Sequence, residues 1–202
     1  NKKPKNIIAV TGTNGKSSVA DFFYQILKLN KMPVASIGTL GIKTNKNIKQ
    51  TNLTSLDIIS FHEELAKLKK NKIDNVIIEA ASHGLDQGRL DKVKFKAGIF
   101  TNFSQDHLDY HQTMKKYFKC KMILFSKLMQ KKGTVITDSK NKSFTKIKKI
   151  SNKKKLNLKI LDKNYLSSLE KLVNLKGTFQ IKNLYMSILA AKVCGLSLKK
   201  IS

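Results

Sequence analysis

The chain has 202 residues, of which 41% are apolar, so it can bury the core of one α/β domain, alone or with a small appendage. Its formal net charge is +27, and all but one of its 40 basic residues are lysine. Nucleic-acid sites usually use arginine for bidentate contacts, and these lysines are spread along the whole chain. We therefore interpret them as solvated surface residues rather than as a nucleic-acid surface.

No apolar stretch of the sequence is long enough to span a bilayer. The two cysteines, Cys120 and Cys194, lie far apart and lack metal-ligand spacing, which fits reduced thiols. We expect a cytoplasmic monomer with no nucleic-acid and no membrane partner.

Apolar β-type runs alternate with helical patterns along the chain. Strands are predicted at 7–10, 34–37, 76–78, 97–100 and 134–137, and helices at 17–30, 56–70, 117–130 and 181–194. The polar segment 39–52 favours a loop or hairpin, and 147–161 combines a charged helix end with a strand. This order predicts an α/β fold that contains a phosphate-binding loop (P-loop), with a mostly parallel sheet flanked by helices on both faces.

The first predicted strand leads directly into the glycine-rich sequence TGTNGKSS at 11–18. A strand, a glycine turn and Gly-Lys-Ser at a helix start form a phosphate-binding loop, in which backbone N–H groups surround an anion. The common form requires a further glycine at position 10, which is Val10, so a merely tight connection is the alternative. We expect a nucleoside triphosphate to contact Gly12, Thr13, Asn14, Gly15, Lys16, Ser17 and Ser18.

Five of the 13 acidic residues and three of the four histidines lie between positions 79 and 111. Glu79 ends a predicted strand beside the phosphate loop, where its carboxylate is suited to bind Mg²⁺, although it could merely cap the next turn. Arg89 is the only arginine, which indicates bidentate binding of a substrate anion or, alternatively, a structural ion pair. His107 follows another strand end among acids, so it is a candidate metal ligand or proton carrier.

Four sequence strings together resemble the central ATP-binding domain of the Mur ligases. They are TGTNGKSS at 11–18, EAASHGLDQGR at 79–89, TNFSQDHLDYH at 101–111 and YFKCKMILF at 117–125. The second and third strings are most similar to the tripeptide synthetase branch, which adds the third residue of the peptidoglycan stem peptide. The resemblance covers about 6–136 well and 177–191 more loosely.

The resemblance implies roles for individual residues. Lys16 and its loop would bind ATP, Ser17 and Glu79 would hold one Mg²⁺, and His107 would hold a second. Lys121 takes the place of the family lysine that reacts with CO₂ to form a carbamate, which helps to hold that metal. Contacts to the UDP-N-acetylmuramoyl dipeptide would come from Thr54, Ser55, Ser82, Gln87 and Arg89, and Asn183 would lie near the adenine.

The reaction implied is ATP-dependent amide ligation through an acyl phosphate, with a diamino acid, expected to be meso-diaminopimelate, as the incoming amine. Lys16, His107 and Lys121 would be its catalytic residues. We expect the chain to be a fragment that lacks an N-terminal UDP-binding domain and a C-terminal amino-acid-binding domain. Two other interpretations stay open: a folylpolyglutamate-type ligase, and a degenerate ATP-binding domain. The second is suggested by Ala81 and Leu56, which replace the usual family residues.

Overall fold

The computed structural model describes residues 3–50 and 56–197. Within these ranges, eight strands form a single sheet. They are β1 Asn6–Thr11, β2 Val34–Gly38, β3 Gly41–Thr44, β4 Ile48–Lys49, β5 Asn75–Glu79, β6 Phe95–Phe100, β7 Met129–Thr137 and β8 Asn157–Ile160. Their order is β4-β3-β2-β5-β1-β6-β7-β8. In this spatial order, each neighbouring pair from β2 through β5, β1, β6 and β7 to β8 is parallel. The β2–β3 and β3–β4 pairs are antiparallel.

In the described residues, eight α-helices and one π-helical segment connect or follow these strands. They are α1 Lys16–Leu29, α2 Ile58–Lys70, α3 Ser82–Asp86, α4 Leu108–His111, α5 Met114–Ile123, the π-helical segment Leu124–Leu128, α6 Phe144–Lys153, α7 Lys163–Leu172 and α8 Thr178–Val193. Among the described residues, none of these helices combines the length and the apolar character that crossing a bilayer requires.

The sheet has a separate apolar core on each face, because side chains along a strand alternate between faces. On β1, Ile7 and Ala9 join the core that contains α2 and α6, whereas Ile8 and Val10 join the core that contains α1, α7 and α8. All four side chains are at most 4% exposed. A strand that is buried on both faces reads as an unbroken apolar run, as the sequence at 7–10 does. The predicted α/β architecture is confirmed.

The predicted helix at 117–130 differs from the structure at its C-terminal end. The α-helix ends at Ile123, a π-helical turn follows, and β7 begins at Met129, five residues before the predicted strand. The run from Met122 to Met129 is apolar apart from Ser126 and Lys127, and such a run fits a buried helix or a buried strand equally well. The last residue of the run, Met129, belongs to a strand because it pairs with Phe95 of β6. The register of this pairing shifts between Phe95 and Ala97.

Helix α7 is absent from the sequence-based prediction. Asp162 caps it by accepting a hydrogen bond from the Tyr165 N–H, and Leu169 is its buried residue.

The predicted loop or hairpin after β2 is a β3–β4 hairpin in its described part. Because β5, β1 and β6 are adjacent and parallel, their carboxyl ends lie at one edge of the sheet. The loop after β2 lies at the same edge, since β2 is parallel to β5.

Candidate active site

The phosphate loop lies between β1 and α1, and two glycines give it its shape. Gly12 and Gly15 have positive φ angles of 150° and 85°, which side-chain-bearing residues rarely adopt. A Cβ atom on Gly12 would lie 1.9 Å from the Thr101 hydroxyl, and one on Gly15 would lie 2.8 Å from the Asn183 amide. Glycine is thus required at both positions for conformation and for space.

Residues at the end of β6 fasten the loop. The Asn102 side chain accepts a hydrogen bond from the Asn14 N–H at 2.9 Å and donates one to the Asn14 carbonyl at 3.1 Å. The Thr101 hydroxyl donates to the same carbonyl at 2.6 Å, and the Thr13 N–H donates to the Asn102 carbonyl at 3.0 Å. The loop therefore has one fixed geometry relative to the sheet.

Ser17, Glu79 and Thr39 bring oxygen atoms together at the strand ends. The Ser17 hydroxyl donates to Glu79 Oε2 at 2.8 Å, and the Thr39 N–H donates to Oε1 at 3.0 Å. Glu79 is only 2% exposed, yet it lines the open cleft beside Lys16. A carboxylate and a hydroxyl beside a phosphate loop are hard oxygen donors, so this set fits Mg²⁺.

Two lysines lie against the loop. Lys16 Nζ donates to the carbonyls of Gly12 and Thr13, and Lys121 Nζ donates to the Gly12 carbonyl at 2.7 Å. Burial lowers the pKa of Lys16, although the charges of Glu79 and Asp106 partly oppose this. Burial, and then the nearby charge of Lys16, lower the pKa of Lys121 to about 7. Lys121 is 1% exposed, and this burial favours the neutral form of its amine.

His107 stands at the N-terminus of α4 with a left-handed φ of 50°. Its Nε2 atom lies 3.4 Å from the Asp106 carboxylate, and its ring packs edge-on against His83 at 5.0 Å. His107 lines the same cleft as Lys16, Glu79 and Lys121. The structure thus brings the predicted metal-binding and catalytic side chains into one cleft.

The cleft has a volume of about 640 Å³. Ser82, Gln87 and Arg89, which the resemblance assigns to the substrate, also line the cleft. The Ser82 hydroxyl is buried and has no hydrogen-bond partner in the described part of the chain. Thr54 and Ser55, the other predicted substrate residues, lie outside the described residues.

Asn183 lies behind the phosphate loop, in the first half of α8. It is 5% exposed, its amide packs near Gly15, and it donates a hydrogen bond to Gln180. It is not among the described residues that line the cleft. Its predicted place beside an adenine ring stays a prediction.

A family model described as the Mur ligase middle domain matches residues 10–191. The chain belongs to the Mur ligase family. It is 46% identical over 159 residues to the UDP-N-acetylmuramoyl-L-alanyl-D-glutamate–2,6-diaminopimelate ligase of Rickettsia bellii, a match that covers 77% of this chain and 34% of that relative. It is 40% identical over 185 residues to the ligase of the same name from Zymomonas mobilis, with 92% and 38% covered. The chain therefore spans little more than a third of the length of these curated relatives.

Solved structures share the fold of this chain. A ligase of that name superimposes with a TM-score of 0.83 at 26% identity, covering 98% of this chain and 45% of the other. The apo form of L. casei FPGS superimposes with a TM-score of 0.75 at 16% identity, covering 99% and 62%, and this likeness concerns the fold alone.

Sequence reasoning about this Mur ligase domain missed three contacts of the site. Thr39 and Gly38 contact Glu79, but the polar segment after β2 gave no sign of this role. Asn102 fastens the loop, and its position directly after a strand end was the available signal.

Proposed function

We propose that the protein containing this chain is an ATP-dependent ligase of peptidoglycan precursor synthesis. It would join meso-diaminopimelate to the D-glutamate of UDP-N-acetylmuramoyl-L-alanyl-D-glutamate. The proposal rests on membership of the Mur ligase family and on the printed names of its relatives. Because ATP and nucleotide-linked precursors are cytoplasmic metabolites, we propose a cytoplasmic location as well.

The observation that carries the proposal is the convergence of two sets of groups on one cleft. Lys16 and the Ser17–Glu79 pair would form its triphosphate-binding end, and Ser82, Gln87 and Arg89, which line the same cleft, would form the end that binds an anionic substrate. A reaction that transfers the γ-phosphoryl group of ATP to a carboxylate needs both ends within reach of each other.

The chemistry has two steps. The substrate carboxylate oxygen attacks the γ-phosphorus, ADP leaves, and an acyl phosphate forms. The amine of the incoming amino acid then attacks the acyl carbon, phosphate leaves, the nitrogen loses a proton, and the amide remains. Both steps require aligned groups and neutralised phosphate charge more than covalent help from the protein.

Residues of the chain supply that alignment and charge. The loop N–H groups and Lys16 would hold the triphosphate, and Arg89 would orient the substrate carboxylate or a phosphate by bidentate hydrogen bonds. Ser17 and Glu79 would hold one Mg²⁺, and His107, with the Lys121 carbamate, a second. When bound, these ions neutralise the charge that develops on the phosphoryl oxygens.

Carbamylation of Lys121 is part of the same proposal. A neutral amine is required, because its lone pair attacks the carbon of CO₂ and the nitrogen then releases a proton. The lowered pKa and the near-complete burial of Lys121 favour that neutral form. The product is a carboxylate-like group within a cleft that already contains Glu79 and His107, and such oxygens are suitable Mg²⁺ ligands.

A folylpolyglutamate-type ligase is the second candidate, since FPGS shares the fold. A degenerate domain that binds ATP without catalysis is the third, since Ala81 lines the cleft where the family often has a serine. These two alternatives and the diaminopimelate ligase predict three different outcomes in a single assay.

The test is phosphate release by the full-length protein with ATP, Mg²⁺, bicarbonate and UDP-N-acetylmuramoyl-L-alanyl-D-glutamate. Separate reactions contain meso-diaminopimelate, lysine, or folate with glutamate, and Lys16→Ala is the control. We expect release with meso-diaminopimelate only, and none from Lys16→Ala.

Other outcomes contradict parts of the proposal. Release with lysine alone would change the amino acid but keep the ligase. Release only with folate and glutamate would establish the polyglutamylating alternative. ATP binding without release in any reaction would identify a degenerate domain.

A further inference from the structure

Cys120, His111 and Asp86 come together on the flank of the cleft, and the proposed ligation uses none of them. They belong to α5, α4 and α3. Cys120 Sγ lies 3.2 Å from Asp86 Oδ1 and 3.6 Å from His111 Nδ1. One ligand atom from each residue lies within 4.8 Å of the other two.

We propose that these three side chains form a site for a borderline-soft divalent cation such as Zn²⁺, separate from the Mg²⁺ ligands. Tetrahedral Zn²⁺ with bonds of about 2.3 Å to sulfur and about 2.0 Å to nitrogen places those two atoms about 3.5 Å apart. The separation of Cys120 Sγ and His111 Nδ1 is 3.6 Å. A water molecule would fill the fourth position, and the exposed Asp86 provides access.

The hydrogen bonding of His111 supports a ligand role. The residue is 3% exposed, and its Nε2 atom has no partner within the described ranges. Its Nδ1 atom contacts only the Cys120 sulfur among the described hydrogen bonds, while the ring packs at 4.7 Å from Tyr110 and 5.1 Å from Tyr117. A cation at Nδ1 would take up the lone pair that only the Cys120 sulfur contacts, whereas the proton on the buried Nε2 would still have no partner among the described residues.

The surroundings of Cys120 do not suit a nucleophile. Cys120 is only 8% exposed and its sulfur faces the Asp86 carboxylate, whereas reactive cysteines lie in accessible, electropositive surroundings. The thiol instead donates a hydrogen bond to the Asp86 carboxylate. On metal binding, the Sγ–metal bond would replace the S–H bond and the proton would pass to solvent. His111 would bind through Nδ1, with its proton on Nε2.

Two sites of different chemistry would then lie side by side. Glu79 and Ser17 offer only oxygen atoms, which suit Mg²⁺, whereas a thiolate and an imidazole favour Zn²⁺. The soft site joins three elements around the substrate side of the cleft: α3 begins at Ser82, α4 follows His107, and Cys120 precedes Lys121. A bound cation would fix these elements relative to one another and stabilise the fold by mass action.

The test is Co²⁺ titration of the full chain, with excess Mg²⁺ present to occupy the oxygen-rich site. Co²⁺ replaces Zn²⁺ and gives a near-ultraviolet charge-transfer band only when a thiolate binds it. We expect a band in the wild type at one equivalent and no band in Cys120→Ala. Cys194→Ala is the matched control, because Cys194 lies in the core that contains α1, α7 and α8, and it should keep the band.

A second variant keeps the test independent of core packing. Asp86→Asn changes an exposed side chain, and we expect it to weaken Co²⁺ binding at least about tenfold. Zn²⁺ should also raise the melting temperature of the wild type more than that of Cys120→Ala. Absence of the band in the wild type, its persistence in Cys120→Ala, or unchanged affinity in Asp86→Asn would each overturn the proposal.

Discussion

Gly38 controls the position of the Glu79 carboxylate. A Cβ atom on Gly38 would lie 2.1 Å from Glu79 Oε1, and Glu79 cannot easily retreat because it is 2% exposed and bonded to Ser17 and Thr39. We expect Gly38→Ala to displace the carboxylate and to raise the Mg²⁺ concentration needed for ATP binding by about tenfold. Calorimetric ATP titration at several Mg²⁺ concentrations measures this.

Gly195→Ala is the control for that change. Its added Cβ atom meets nothing within 4 Å, although its φ of 95° also disfavours alanine. This variant should lose stability without any change in Mg²⁺ dependence. An equal Mg²⁺ dependence in Gly38→Ala and the wild type would show that Glu79 does not hold the ion.

The pKa of Lys121 gives the proposed carbamate a pH dependence with a definite sign. Because burial lowers that pKa to about 7, the neutral amine is scarce below about pH 6 and predominates above about pH 8. In ¹³C-bicarbonate, a carbamate signal in the NMR spectrum should therefore rise across this range. Lys121→Arg should abolish the signal, since a guanidinium keeps its proton.

Lys119→Arg provides the matched comparison, because Lys119 is an exposed lysine on the same helix. It should keep the signal. A signal that survives in Lys121→Arg, or a wild type without signal at about pH 8, would refute carbamylation at this position.

At the scale of elements, the end of β6 holds the phosphate loop. Asn102 makes two hydrogen bonds to the Asn14 backbone, and each such bond contributes about 1 kcal/mol. Asn102→Ala should therefore loosen the loop and weaken ATP binding by about three- to tenfold in a calorimetric titration. Asn30→Ala removes a similar amide bond at the far end of α1 and should leave ATP affinity unchanged. Equal affinities in the two variants would contradict the role of Asn102.

A helix or strand could be predicted from the sequence where the local pattern of residues determines its type. The strands at 7–10 and 76–78 are apolar runs beside strong turn signals, so they were predicted, and so was the meeting of Ser17 with Glu79 at the strand ends. The run 122–129 was assigned wrongly at its end, because pairing with β6 rather than local pattern makes Met129 a strand residue. Polar contacts across the edge, such as Thr39 with Glu79, form because β2 lies next to β5 in the sheet. No local sequence pattern specifies which strands are neighbours, so these contacts could not be predicted.

The cation cluster illustrates the same limit. Cys120, His111 and Asp86 lack the short spacing of a metal motif, so inspection of the sequence excluded a cysteine metal site. They meet only because α3, α4 and α5 pack together beside the cleft. Sites built from separate short helices therefore require the tertiary structure for their detection.

At the scale of the whole molecule, the net charge of +27 should weaken the folded state by self-repulsion. Few lysines have an acidic partner. Among the described residues, the ion pairs that involve lysine are Lys43–Asp21, Lys69–Asp74 and Lys182–Asp138. Salt shortens the range of repulsion from about 30 Å at 0.01 M to about 10 Å at 0.1 M. We therefore expect the melting temperature to rise with NaCl over this range.

Charge reversal separates this effect from other actions of salt. Lys148, Lys149 and Lys159 are exposed and lie away from the cleft, on α6 and β8. The triple variant with glutamate at these positions should melt higher than the wild type at about 0.01 M NaCl and should respond less to added salt. An uncharged osmolyte at equal osmolality should not distinguish the two proteins. If both melt independently of NaCl, the lysines are sufficiently hydrated that their repulsion does not limit stability.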